Sequence, residues 1–270
     1  MTIATTQLGP SSVQVDYNPS VDSRANLFVE LLEQVKDHGW EEYDPVSIVD
    51  RTRLFASEYN HASIMKDDGG IYSWGQDTYN QVANTPTSLD FEMVSVGAFH
   101  SVALKQNGTL AAWGSDVYGQ VSNLPDGTFT EVAAGGYHNI ALRIDGSIVV
   151  WGRNDSNQID DTPIGRFTQV CAGVHHCMAL AEDGSIHAWG YDGHNQVSGT
   201  PVGTNFDYIS AGLFFNLALK TDGSIAAWGS DSERQITDAP VDANYIHLSA
   251  GLHHGAAVAS DGSLIVWGSD

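Results

Sequence analysis

The sequence predicts an all-β propeller, and three observations predict it. Trp-Gly occurs six times, at Trp74, Trp113, Trp151, Trp189, Trp228 and Trp267, with spacings of 39, 38, 38, 39 and 39 residues. An Asp-Gly or Asn-Gly pair precedes every one of these tryptophans by six residues, from Asp68-Gly69 to Asp261-Gly262. Short alternating apolar runs lie between these marks. A period this constant is one supersecondary unit, which buries its apolar face only by stacking on its neighbours.

The elements follow in order along one repeat. Phe129–Ala134 alternates loosely and reads as a first strand. Gly135-Gly136-Tyr137 turns the chain, and His138–Leu142 is a second strand. Asp145-Gly146 reads as a type I′ hairpin, whose central positions both want φ > 0. Ser147–Gly152 is the third strand. Gln158-Ile159 and Pro163 then read as a short outer strand, where proline is tolerated at a sheet edge. Four short antiparallel strands every ~40 residues make a propeller blade.

The other copies keep the register. Thirteen residues before each Trp stand His61, His100, His138, His176, Phe215 and His254. Seven residues after it stand Gln81, Gln120, Gln158, Gln196 and Gln235, each followed five residues later by Pro. The sixth copy reaches Asp270 without its Gln and Pro. Gln14 and Pro19 have the matching spacing, so residues 14–19 are expected to supply the outer strand of the last blade and close the ring.

Residues 20–47 do not fit the repeat. Asp22 or Ser23 can cap a helix whose one face carries Leu27, Phe28, Leu31, Leu32 and Val35, with Gly39 as its stop. The expected organisation is an arm and closing strand over 1–19, a helical insertion over 20–47, and a propeller over 48–270. Six blades are expected, or seven if 20–47 forms a degenerate blade.

The pattern Ala-Gly-x-x-His-x-x-Ala-Leu, Asp-Gly-Ser, Trp-Gly and Gln resembles the RCC1-like propeller repeat, most completely over 133–152 and 172–190. The repeat length is similar to a short-repeat bacterial and phage branch that includes a propeller-type β-lactamase inhibitor. The resemblance covers residues 48–270 and implies the fold; the fold hosts unrelated binding roles.

Composition narrows the function. The net charge is −22 with 11 Lys+Arg, which opposes nucleic-acid binding, because phosphate neutralisation dominates that affinity. Anionic membranes are disfavoured for the same reason. The N-terminus lacks the basic and apolar regions of a signal peptide, and no apolar run spans a membrane, so a virion or cytoplasmic location is expected.

No phosphate loop, nucleophile elbow or His-Glu-x-x-His is present, so no catalytic residue, cofactor or metal is expected. Cys171, His175, His176 and Cys177 could suggest zinc. Cys171 stands where other copies carry Ala133 and Ser210, however, and His176 belongs to the recurring column, so free thiols are expected. The histidine column accepts Phe215 and is read as packing, each imidazole bonded to neighbouring backbone. Asp77, Asp116, Asp155, Asp192 and Asp231 recur once per blade and read as turn stabilisers rather than a calcium site.

Departures from the refrain mark where specificity could reside. Before the histidine column stand Phe99, Tyr137, His175, Phe214 and His253, and Tyr79, Tyr118 and Tyr191 follow the Trp-Gly pairs. Aromatic residues gathered at one end of a propeller have the composition of a protein-binding surface. They serve equally as caps over the core. The expected function is a non-enzymatic docking module with a protein partner or assembly, such as a bacteriophage virion accessory or a homo-oligomer, with Leu27, Phe28, Leu31 and Leu32 as a helical contact. The alternatives are a diffusible inhibitor of the β-lactamase-inhibitor type and a carbohydrate-binding lectin.

Overall fold

Each repeat folds into one antiparallel three-stranded sheet, because two tight turns set its register. The structure, a computed structural model, describes residues 4–6, 15–17, 55–56, 61–66 and 68–269. Six such sheets follow one another: β3 (Phe55–Ala56), β4 (His61–Met65), β5 (Ile71–Gly75); β6 (Phe91–Val96), β7 (His100–Lys105), β8 (Leu110–Gly114); β9 (Phe129–Ala134), β10 (His138–Arg143), β11 (Ile148–Gly152); β12 (Phe167–Ala172), β13 (His176–Ala181), β14 (Ile186–Gly190); β15 (Phe206–Ala211), β16 (Phe215–Lys220), β17 (Ile225–Gly229); β18 (Tyr245–Ala250), β19 (His254–Ala259), β20 (Leu264–Gly268). In each, the strand carrying the histidine column is central. The sheet count agrees with six blades.

The hairpin between β10 and β11 differs from the expected type. Gly146 N–H donates to Arg143 O, Arg143 N–H donates to Ser147 O, and of the Asp145-Gly146 pair only Gly146 has positive φ, at 82°. This is a type I turn closed by a left-handed residue, the three-residue solution to the same strand twist. Asp145 Oδ1 accepts the Ser147 amide and hydroxyl, which explains Asp-Gly-Ser.

The expected fourth strand is absent from the described repeats, whose sheets have three members. After Trp-Gly the chain instead makes consecutive turns around a buried glutamine. Gln120 Oε1 accepts the Tyr118 amide at 2.8 Å, and Asp116 Oδ1 accepts the Val121 and Ser122 amides. Those side chains take the amides that a sheet edge would need, so the segment winds rather than extends. The residue before each Gln is left-handed: Asn80, Gly119, Asn157, Asn195 and, with φ of 63°, Arg234. In the third repeat the two-amide acceptor is Asn154, not Asp155. Asp155 instead pairs with Arg153.

Val15–Tyr17, expected to complete the last sheet, forms β2 and pairs antiparallel with β1, Ala4–Thr6. The sheet of β18, β19 and β20 has three strands. The pairing residue Val15 meets Thr6 across a local two-stranded ladder, which closes a shorter loop than pairing with the chain's far end. Gln14, Pro19 and the helix expected over 20–47, with Leu27, Phe28, Leu31 and Leu32, lie outside the described residues. The pair β1–β2 and the sheets from β3 onward fall in two separate units.

The core is a series of layers between sheets. Ile140, Leu142 and Val150 pack on Phe167, Val170, Cys177, Ala179 and Trp189 of the next repeat. Ala141, between Ile140 and Leu142, faces the preceding repeat and packs with Val102, Leu104 and Trp151. Neighbouring strand residues point to opposite faces, so large side chains project forward and an alanine receives the projection from behind. That is the physical content of the recurring Ala-Leu pair. Burial of each large side chain stabilises by roughly 1.5–3 kcal/mol.

Polar ties join the layers. In five repeats the Trp indole N–H donates to the carbonyl of the preceding repeat's Gln, at 2.8–3.1 Å: Trp113 to Gln81, Trp151 to Gln120, Trp189 to Gln158, Trp228 to Gln196 and Trp267 to Gln235. The glycine after Trp is forced by crowding. At Gly152, with φ of 104°, an added Cβ would lie 2.7 Å from Tyr137 O.

The histidine column forms another tie. His61 and His138 keep the expected backbone partner, in His100 and His176 of the next repeat, whereas at His100 and His176 a side chain takes its place. His100 Nε2 meets Asn139 Oδ1 at 2.8 Å and His176 Nε2 meets Asn216 Oδ1 at 2.6 Å, side chain to side chain across the repeat boundary. Asn139 and Asn216 give their amide N–H to Gln120 O and Gln196 O. Their oxygens therefore face the imidazoles, and each histidine donates from Nε2. His61 reaches Ser101 Oγ, and His138 reaches Cys177 Sγ at 3.2 Å. Where the column carries Phe215, the receiving position carries Gly255.

Candidate functional site

Five of the repeats place two of their departures side by side at one end of the sheet. The residue two after Trp donates its amide to the carbonyl of the residue before the histidine column: Ser115 to Phe99, Arg153 to Tyr137, Tyr191 to His175, Ser230 to Phe214 and Ser269 to His253, at 2.8–3.0 Å. A third residue joins from the preceding repeat. It stands two before the buried Gln, whose Oε1 holds its amide: Tyr79, Tyr118, Ser156, His194 and Glu233. These bonds are backbone-anchored, so side-chain identity at the three positions is free to vary.

The rings meet in two groups. Tyr79 lies edge-on to Phe99 at 5.2 Å, Phe99 is 5.9 Å from Tyr137, and Tyr118 lies edge-on to Tyr137 at 5.5 Å. In the second group, His194 stacks on Phe214 at 4.6 Å, and His175 stacks on Phe214 at 6.0 Å. Tyr191 touches all three, at 5.8–6.2 Å. Tyr79, Tyr118 and Tyr191 are about 40% exposed, while Phe99, Tyr137, His175 and Phe214 are half-buried beneath them. The geometry is that of an aromatic surface with rings edge-on and offset, as ring quadrupoles prefer.

Arg153 lies by the first group. Its guanidinium carbon is 5.2 Å from the Tyr118 ring centre and 5.6 Å from that of Tyr137, and Asp155 pairs with it at 2.7 Å. His175, next along the ring, is held below the ordinary histidine range, first by burial and then by the Arg153 charge, with Asp155 opposing. It is neutral near pH 7 and presents an uncharged ring.

Seven of the eight residues expected at a partner surface belong to these groups. His253 holds the same position in the last repeat and is half-buried, but joins neither. Sequence reasoning missed His194 and Arg153. The signal for His194 was its place two before Gln196, the same as Tyr79 and Tyr118.

Neither cysteine is in a disulfide, and Cys177 is fully buried with its thiol pushed up by burial. Its sulfur faces His138 rather than a ligand set with Cys171 and His175. A groove of about 520 Å3 lined by Pro163, His187, Trp189 and Val202 lies apart from both aromatic groups. Among the described residues, no helix is long and apolar enough to cross a membrane.

The family model described as the regulator of chromosome condensation (RCC1) repeat matches residues 94–120, 129–158 and 167–196. These three segments are RCC1-like repeats. Among solved structures, the RCC1-like sheets are similar to the ectodomain of the Physcomitrella patens receptor kinase CR4, at 22% identity and a TM-score of 0.68, covering 80% of this chain and 61% of that one. The chain thus spans under two thirds of that ectodomain. They are also similar to the CRINKLY WD40 ectodomain of the Arabidopsis thaliana receptor kinase ACR4, at 21% identity, a TM-score of 0.64 and 80% of both chains. Prp20p of Saccharomyces cerevisiae, described with its binding to Gsp1p and histones, aligns at 18% identity and a TM-score of 0.66, over 80% of this chain and 71% of its own. These likenesses show the fold. No curated protein matches the chain.

Proposed function

We propose that this RCC1-like protein is a non-enzymatic docking module that binds a protein partner through the aromatic end of its sheets. The observation that carries the reading is the pair of ring groups, Tyr79–Phe99–Tyr137–Tyr118 and His175–Tyr191–His194–Phe214. Rings anchored by backbone bonds, half-buried below and exposed above, lose little freedom on association. Tyr and Arg are also the residues that dominate binding hot spots. The fold supports the same reading, since yeast RCC1 (Prp20) is seen bound to Kap60. The setting we favour is a bacteriophage virion accessory or host-contact role, which rests on the style of the short repeats.

Capture from the native source with the full chain, run beside Phe99→Ala and Tyr137→Ala, tests the reading. A partner recovered by the parent chain and lost from both variants, with folding intact by circular dichroism, supports it. A partner retained by both variants overturns the assignment of this face. An enzyme inhibited at nanomolar concentration by the parent chain alone would select the diffusible-inhibitor role for the same surface.

A further inference from the structure

The geometry points to a partner that presents arginine or lysine, seated over Phe214 and His194 in the way the chain's own Arg153 is seated by Tyr118 and Tyr137. This inference rests on the docking role proposed above and adds the partner's chemistry.

The repeat supplies an internal template. Tyr118, two before a buried Gln, lies against Tyr137, before the histidine column, and Arg153, two after Trp, covers both rings. Two repeats later the same three positions hold His194, Phe214 and Ser230. The correspondence is structural as well as sequential. Ser230 N–H donates to Phe214 O at 2.8 Å, as Arg153 N–H donates to Tyr137 O at 3.0 Å. The rings are again in contact, at 4.6 Å, and Tyr191 flanks Phe214 at 5.8 Å. What differs is the third residue: a serine too short to lie over an aromatic face.

The charges around that position are complementary to a cation. The five loops that follow Trp-Gly, over 75–85, 114–124, 152–162, 190–200 and 229–239, carry nine carboxylates and two guanidiniums. Both guanidiniums are engaged within the chain, Arg153 with Asp155 and Arg234 with Asp238. Glu233 stands three residues beyond Ser230, and Asp231 beside Ser230 holds the Ile236 and Thr237 amides, as Asn154 does in the template; Ser232 takes the place of Asp155. A cation over an aromatic face gains more when desolvated, and the half-buried Phe214 ring is the part of this site that a partner can dry.

The test uses the full chain and a labelled short arginine-glycine-serine repeat peptide, with the same peptide carrying glutamine in place of arginine as control. Binding is read by fluorescence anisotropy at low and physiological salt. The arginine peptide is expected to bind at least about tenfold more tightly than the glutamine peptide, with the advantage shrinking as salt rises. Phe214→Ala weakens it about threefold to tenfold. Ser230→Arg, which rebuilds the chain's own cation over Phe214, weakens it at least as much with thermal unfolding unchanged. Asp145→Asn, in a hairpin away from this end, leaves it within about twofold, which separates a seated cation from attraction to an acidic protein at large. Equal binding of the two peptides, or an arginine peptide indifferent to both Phe214→Ala and Ser230→Arg, overturns the inference. The docking role itself stands or falls separately, on whether a captured partner is lost from Phe99→Ala and Tyr137→Ala.

Discussion

The layers between sheets and the aromatic end obey opposite rules, although both are built from the same repeats. In the layers each side chain is dictated by its neighbour one repeat away. Ala141 is small because Leu104 projects at it, and Trp189 is fixed by the Gln158 carbonyl. At the end, backbone bonds hold the positions and leave the side chains unconstrained. The same place holds Phe99, Tyr137, His175, Phe214 or His253. A repeat protein thereby keeps stability and recognition on separate residues, so one can change without cost to the other.

Substitution in a layer should cost the most. Trp189→Ala removes a buried ring and leaves the Gln158 carbonyl without its indole donor. A loss of about 3–5 kcal/mol is expected in urea unfolding. A loss below about 1 kcal/mol would mean that the layers relax freely and that the contrast with the end is weak.

Acid should act most strongly on the layers. Burial holds His100 and His176 at about 4 and His138 at about 3, from an ordinary value of 6.5. The unfolded chain takes up these protons near pH 6.5, while the folded chain refuses them until near pH 4. The stability linked to these groups is full above pH 6.5, is lost as pH falls from there toward 4, and changes little below the folded values. For His176 the loss is at most about 3 kcal/mol. The chain contains its own titration-free version of this tie, Phe215 with Gly255. His176→Phe combined with Asn216→Gly should therefore flatten the decline between pH 6.5 and 4, measured by thermal unfolding across that range.

A smaller effect is expected at a tie that sequence reasoning did not single out. Gln169 gives its amide to Ile209 O and accepts Ile209 N–H, at 3.0 and 2.9 Å, while at the same place one repeat earlier Glu131 accepts Val170 N–H. Gln169→Ala leaves two buried backbone groups of Ile209 unpaired and should cost about 1–3 kcal/mol in denaturant unfolding. Smallest of all, Tyr79→Ala at the exposed end should change stability by no more than about 0.5 kcal/mol. A larger loss would show that the rings cap the core, and would sharpen the comparison against the docking role.

The sequence by itself determined the period, the first three strands of each repeat and the separation of scaffold from departures, and it left six or seven blades open. All of these are local. Hairpin residues, alternation and a Trp-Gly mark lie within about 20 residues of one another, and repetition averages out the ambiguity of any single copy. Only the tertiary structure decided the rest. The segment after Trp-Gly winds because Gln120 and Asp116 capture its amides, a competition that Gln and Pro spacing does not reveal. His100 bonds Asn139 and not backbone, Arg153 lies over Tyr118, and Phe214 stacks on His194 because adjacent repeats bring together residues that are some 20 to 40 positions apart. Contacts of that kind depend on how one sheet is rotated on the next, and sheet twist and packing set that rotation together rather than any one residue.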